Sequence, residues 1–506
     1  MLPTAGLRID QAPPMSLPFR FFATAPLFLM LAGGALVHWG SDLFIAPLMP
    51  VSVATLHLLL IGWMVMIVCG AMIQMIPVLA GIPVPWPGTI PWVHGGLVVG
   101  TLALVLGLTR EPMVPGLLIF SAVVLILALG GFLVPIVAAL VKAPAKHPTV
   151  NGMRLAMICL TGTALLGALF LVEHAFGFID FDRRILVGIH LTWGLIGTMG
   201  VLILGVSFQV LPMFYMTPAC PTRASRRILI GLALSMLLLP VALLVAGVES
   251  LWVWIAALPG VAAGIDYAVT IRTMLRERRR KLIDPTLRLW WFGYVCAALS
   301  LVLLAAWPAT EEGGWRFFFA TLHGLGWVTP VMIGMLHKIV PFLVWFHRFS
   351  ALAGLVEIPM MDDLTPARAV DVQVGLVIGS VVVLLLGIAT GWEPLLVLAG
   401  CGWIAVGAIQ LYALWFALRI KPPEAPVMPD FASFFKDMPI PPAPVNPVPG
   451  CESRGGAESI ALRGQGVNPI CTVLAKFLET TLVSAIMDMR GFMVPRAGTI
   501  PPGSAT

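Results

Sequence analysis

The chain has 506 residues, is 59% apolar and only 11% charged, and carries a formal net charge of +6. A soluble protein carries about 25% charged residues, so this composition excludes a soluble globular enzyme and describes an integral membrane protein. The basic excess sits in short loops, where it sets topology, and it gives no nucleic-acid-binding signature.

Residues 1–20 hold four prolines and no apolar core. They are read as a cytoplasmic N-terminal segment without a secretory signal. A helix that crosses a bilayer needs about 20 apolar residues, and by that rule there are twelve spans, at roughly 21–40, 52–80, 91–109, 115–141, 152–173, 185–214, 227–247, 250–271, 288–307, 316–346, 370–391 and 394–418. The predicted fold is therefore all-α and integral to the membrane, with a transmembrane domain over 21–420. Beyond it, residues 421–506 are expected to form a disordered cytoplasmic tail. It opens with a proline-rich linker (421–449), and 468–493 are apolar enough for one short helix. The seven cysteines include no CxxC and no CxxCH, so a disulfide framework, a zinc site and covalently attached haem are not expected. Cys69 and Cys159 lie in apolar helices and are expected to pack there.

Loop charge gives the orientation. Lys142 and Lys146 follow span 4; Arg223, Arg226 and Arg227 follow span 6; Arg272 to Lys281 follow span 8; Arg419 and Lys421 follow span 12. The opposite loops hold mostly acids, among them Asp42, Glu173, Asp182, Glu249 and Glu393. Basic loops stay in the cytoplasm, so both termini are expected inside. Asp266 lies less than two turns from Arg272 and is expected to pair with it at the interface.

One pattern is written three times. HLLLIGWMVMIVCGAMIQMIP begins at His57, HLTWGLIGTMGVLILGVSFQVLP at His190 and HGLGWVTPVMIGMLHKIVP at His323. Each ends in Gly-x6-Pro, and the leading histidines stand 133 residues apart. The motif falls on spans 2, 6 and 10, which predicts a four-helix repeat used three times, always entering from the same side. The three histidines are then expected at one depth in the outer half, and to converge on a metal centre. His38 and His174, at the outer ends of spans 1 and 5, join them as candidate ligands, with Glu173–His174 as a candidate carboxylate–histidine pair. His337 is expected in the inner half, roughly 21 Å below His323 and near the same helix face.

Histidine in hydrocarbon is costly and marks function. Neutral imidazoles on facing transmembrane helices suit a b-type haem, and Gly62, Gly194, Gly324 and Gly326 would leave room for a macrocycle. Copper is the second candidate, since imidazole also binds copper and Met64, Met66, Met72 and Met75 crowd span 2. Gln74, Gln209 and His337 stand three or four residues before the motif prolines. They form a second polar layer that would hold a cofactor or bond the carbonyls the prolines free.

Twelve spans, three four-helix repeats and histidines on spans 2, 6 and 10 resemble subunit I of the haem-copper oxidases, including the cbb3-type oxidases and nitric oxide reductases. GLGWVTPVMIGMLHKIVPFLVW is similar to the tenth helix of the cbb3 type, HLTWGLIGTMG…VLP to the sixth and THLLLIGW…GAMIQMIP to the second. The His-x4-Gly…Gly…Pro style also resembles the NnrS family of haem- and copper-containing membrane proteins linked to nitric oxide stress. The likeness implies a bacterial inner-membrane protein with haem b held by His57 and His323, and His190 as a copper ligand or facing a ligand pocket. The implied activity is electron transfer, or binding or reduction of a small gas such as nitric oxide. The sequence also departs from the oxidase pattern. Span 7 has no histidine, span 10 has no His-x-His, position 194 is glycine where many oxidases carry a tyrosine, and spans 2, 6 and 10 contain no carboxylate. These departures argue against a proton-pumping oxygen reductase. A reading from another class stays open: a multi-pass transporter or channel whose histidines and glutamines line a polar path without a cofactor.

Overall fold

The computed structural model describes residues 13–144, 147–178, 182–306 and 314–423. Within them stand twelve helices long and apolar enough to cross a bilayer: α1 (Ser16–Phe44), α2 (Pro50–Ala80), α3 (Pro87–Thr109), α4 (Pro115–Lys142), α5 (Pro148–Phe176), α6 (Arg183–Tyr215), α7 (Thr222–Ala246), α8 (Leu251–Arg276), α9 (Pro285–Leu304), α10 (Trp315–Arg348), α11 (Ala367–Thr390) and α12 (Glu393–Arg419). The described residues contain no β-strand, so the chain is an all-helical membrane protein. Each expected span is present. The first begins at Ser16, five residues earlier than apolarity alone indicated. The linker and short helix expected in the tail fall outside the described residues beyond 423.

Local chemistry sets the ends. Proline opens α2, α3, α4, α5 and α9, where its missing N–H costs nothing and its fixed φ suits the first turn. Gly81 (φ 67) and Gly391 (φ 64) close α2 and α11 in the left-handed region that glycine enters freely. At the end of the molecule that carries the basic loops, arginines finish three other helices. Arg154 donates to Leu140 O and Ala143 O at the end of α4, Arg278 to Leu275 O at the end of α8, and Arg348 to Leu418 O and Ile420 O at the end of α12. A guanidinium satisfies carbonyls that have no partner within their own helix and opposes the negative end of the dipole. Asp266 also finds an arginine there, though not the expected Arg272. It takes Arg227 of α7 in a bidentate pair at 3.0 and 3.1 Å, because helix packing brings α7 onto α8.

Neighbours in sequence are neighbours in space. α1 packs on α2, α3 on α4, α4 on α5, α5 on α6, α7 on α8, α9 on α10 and α11 on α12, and α12 returns to α1. The three motif helices are the interior ones. In α2, α6 and α10, 72%, 67% and 78% of the apolar window is buried, against at most 50% in any other helix.

The interior helices share a second property. Each contains a π-helical stretch at its histidine: Leu58–Val65 in α2, Thr192–Gly200 in α6 and Thr321–Val328 in α10. Such turns make up well under 1% of residues in proteins and recur at functional sites. The i→i+5 bonding widens the turn and changes the angle per residue. The α-helical counting used for His323 and His337 assumes a regular helix, and α10 is π-helical over Thr321–Val328.

Candidate functional site

Two of the three motif histidines meet. The rings of His57 and His190 have their centres 6.3 Å apart and their planes inclined by 30°. His57 Nδ1 lies 2.7 Å from Val53 O, one turn back on α2. A carbonyl only accepts, so Nδ1 carries the hydrogen, and in the neutral ring Nε2 keeps a free lone pair. This is the arrangement that orients an imidazole for ligation. His190 Nδ1 is buried and has no hydrogen-bond partner. Phe170 meets the His190 ring edge-on at 5.6 Å. Gly167 of α5 leaves that ring its room, since a Cβ there would sit 3.3 Å from His190 Cε1.

His323 takes a separate place. It is 5% exposed, stacked on Phe319 at 5.3 Å and met edge-on by Trp327 at 4.8 Å. Its Nδ1 has a long contact of 3.4 Å with Ser300 Oγ. His323 Nε2 and Trp327 Nε1 are both buried without a hydrogen-bond partner. Gly324 beside it is buried, yet a Cβ built on it would meet no atom within 4 Å.

The other expected glycines serve packing. A Cβ on Gly62 would lie 2.4 Å from the Phe28 ring, one on Gly326 would lie 2.8 Å from Cys296 Cβ, and one on Gly194 would lie 3.3 Å from the Thr163 methyl. Their bare faces are occupied by α1, α9 and α5. His38 and His174 are exposed. His38 rests against Trp39. Glu173 gives its carboxylate to Arg183 and stays 3.9 Å from His174, so the expected carboxylate–histidine pair is an ion pair with arginine instead. Cys69 and Cys159 are buried and free, as their apolar helices indicated. Among the described residues, no group of three or more His, Cys, Asp and Glu side chains is arranged for a metal ion. The sequence pattern led to the expectation of three converging imidazoles; the structure juxtaposes His57 and His190 and sets His323 among aromatic rings.

The second polar layer is only partly as expected. His337 Nε2 lies 2.7 Å from Gln373 Oε1 of α11, and Gln373 Nε2 donates to Val406 O of α12 at 2.8 Å. Trp63 of α2 donates to Gln410 Oε1 of α12 at 3.2 Å. Gln74 does not bond the carbonyls released by Pro77; both of its amide atoms are buried and unpartnered. Nearer the basic loops, Asp284 receives Lys338 Nζ at 2.8 Å, Tyr215 Oη at 2.9 Å and the Leu287 N–H at 2.9 Å. Burial alone would push the Asp284 carboxyl up, but Lys338 and these donors outweigh it and hold it below the usual carboxylate range.

Sequence reasoning passed over Gly167, Gln373, Gln410 and Ser300. A signal existed for the glutamines, since a lone amide in an otherwise apolar span needs a partner. Gly167 had none, because its use depends on how α5 lies against α6. No protein-family model matches this chain, and no curated protein matches it.

Proposed function

We propose that this chain is an integral-membrane metalloprotein of the haem-copper oxidase subunit I or NnrS kind, with a metal centre gripped by His57 and His190. The single observation that carries this reading is the contact of those two imidazoles. His57 would hold the metal through its free Nε2 and His190 through its unpartnered Nδ1. Their ring centres stand 6.3 Å apart. The donor set also fits: both rings are neutral-histidine ligands of the type that iron and copper accept. The unpaired Nε2 of His323 would be a separate ligand position, apart from the His57–His190 pair. Haem b is the favoured cofactor and copper the second. When bound, such a centre supplies one-electron chemistry or a place for a small gas such as nitric oxide.

The finer architecture belongs to the same proposal: three parallel four-helix repeats, both termini cytoplasmic, in a bacterial inner membrane. It is supported by the 133-residue spacing, by a π-helical stretch on each of α2, α6 and α10 and by arginine-capped ends on α4, α8 and α12. Transport without a cofactor is the second reading, favoured by the unpartnered amide of Gln74.

The test is spectroscopic and elemental. Protein purified in detergent from haem-replete cells should show a Soret band and a b-type pyridine haemochrome. Both should be lost in His57→Ala and in His190→Ala. Copper without a Soret band would keep the pair as a metal site and remove haem. Colourless protein free of iron and copper would overturn the reading and leave the transporter.

A further inference from the structure

Helix α8 turns one face away from the bundle. It packs on α7, and its Tyr267 reaches inward to Ser207 of α6 and Tyr294 of α9. Only 28% of its apolar window is buried. On the outer side, Leu258, Ile265 and Val269 are 60%, 60% and 61% exposed. Arg272 and Arg276 follow them and are exposed as well. The α-helix is continuous over Leu251–Arg276. Steps of seven, four, three and four residues therefore keep these five side chains in one stripe. The stripe is apolar along the span and cationic at the end with the basic loops.

The two arginines have charge to give. Asp266, the acid expected to hold Arg272, is taken by Arg227 of α7. Glu277 follows Arg276 in sequence and stands roughly 100° round the helix from it, off the stripe. Among the described residues, no side chain or carbonyl engages the guanidinium of Arg272 or of Arg276. Further cations surround them: Arg223 at the start of α7, and Arg279 and Lys281 in the loop after α8, are all exposed. Leu282 and Ile283 lie exposed directly after these charges, which suits a loop that rests on a lipid surface and keeps its charged heads at the headgroup level.

We propose that this stripe holds one anionic phospholipid of the leaflet at the basic-loop end. Its phosphate sits on Arg272 and Arg276, and an acyl chain runs along Val269, Ile265 and Leu258. The dimensions agree. Leu258 to Val269 spans roughly 16 Å at the rise of an α-helix, and one leaflet contributes about 15 Å of hydrocarbon. Guanidinium is the side chain that pairs with phosphate through two parallel hydrogen bonds. A zwitterionic lipid brings its own cation to the same place and gains less. A second copy of the chain, related by a two-fold axis along the membrane normal, would set these arginines against their own equivalents. The site is independent of the metal centre.

The test uses the full-length chain, stripped of lipid in detergent and titrated under native mass spectrometry. The probes are phosphatidylglycerol, phosphatidylcholine and glycerol phosphate, which has the anion without the acyl chains. One phosphatidylglycerol per chain is expected, bound at least about tenfold more tightly than phosphatidylcholine, since each arginine near an anionic headgroup is worth about fivefold. Arg272→Gln with Arg276→Gln should weaken phosphatidylglycerol by about twenty-fivefold and remove the preference. Arg272→Lys with Arg276→Lys should stay within about fivefold of the unaltered chain, and Arg184→Gln at the opposite end should change nothing. Arg278, Arg279, Arg280 and Lys281 remain in every variant, so the basic loop still sets the orientation. The preference of the unaltered chain needs no variant to fold. Equal binding of the two lipids, indifference to the double glutamine variant, or displacement of phosphatidylglycerol by an equal concentration of glycerol phosphate would overturn the proposal. So would efficient cross-linking of two copies through Val269→Cys, which would give the face to a second chain.

Discussion

At the end with the basic loops, Arg154 spends its guanidinium on Leu140 O, Ala143 O and Asn151 Oδ1, and Asp284 is shared by Lys338, Tyr215 and a backbone N–H. In the helical interior near the π turns, His190 Nδ1, His323 Nε2 and Trp327 Nε1 are equally buried and have no partner. Both regions place polar atoms where water is scarce, and both carry a desolvation cost. The first region recovers it within the fold, and its residues are there for stability. The second leaves it uncompensated within the fold, and on the proposed reading a bound ligand recovers it. The two regions should therefore answer substitution in opposite ways.

The largest effect is expected in the first region. Asp284→Asn removes the charge opposite Lys338, whose side chain is only 12% exposed. Leaving one member of a buried pair unmatched costs about 3 kcal/mol, measurable as a shift in unfolding by SDS titration at pH 7. The pH dependence follows from the depressed Asp284 carboxyl. A group whose folded pKa is lowered contributes stability above its unfolded value of about 3.9 and loses it as pH falls through the folded value. The unaltered protein should lose stability below about pH 4–5 more steeply than Asp284→Asn. Parallel curves would show that Asp284 is not a stabilising group, and the contrast between the regions would weaken.

Much of the first region was legible in the sequence. Spans, loop charges and proline-initiated helices are read from local composition, and all twelve helices stand where apolarity placed them. The motif was legible too, since its three copies mark the three most buried helices. Partners across helices were not. Asp266 pairs with Arg227 of α7, not Arg272 one helix-end away, because nothing in sequence spacing tells which neighbour α8 will face. The π turns were hidden for a related reason. Counting at 3.6 residues per turn assumes a regular helix, and apolar pattern alone does not reveal where bonding shifts to i→i+5.

Glycines sharpen the comparison at a smaller scale. Gly62 and Gly324 both lie within the motif, yet Phe28 fills the face of one and nothing fills the face of the other. Gly62→Ala forces a methyl into the Phe28 ring and should cost about 1–3 kcal/mol by overpacking. Gly324→Ala meets open space, so its effect on unfolding should stay within about 0.5 kcal/mol, while haem content falls if the macrocycle uses that space. Equal destabilisation by both would mean the space beside Gly324 closes in the folded protein.

His323→Leu carries the smallest expected change in stability and the clearest separation of the two kinds of site. Leucine keeps the apolar contacts with Phe319 and Trp327 and gives up one long bond to Ser300. Replacing an unsatisfied buried polar group by an apolar one of similar size is nearly neutral or stabilising, so metal-free protein should unfold within about 0.5 kcal/mol of the unaltered chain. A bound cofactor adds stability that grows as the logarithm of its concentration relative to its Kd, and that gain belongs only to a chain that holds it. Protein from haem-replete and haem-starved cells should therefore differ in thermal midpoint for the unaltered chain and coincide for His323→Leu if Nε2 is a ligand. If the midpoints still separate in His323→Leu, the cofactor is held by His57 and His190 without it. If His323→Leu unfolds the metal-free protein, then His323 belongs with Asp284 among the residues that keep the fold.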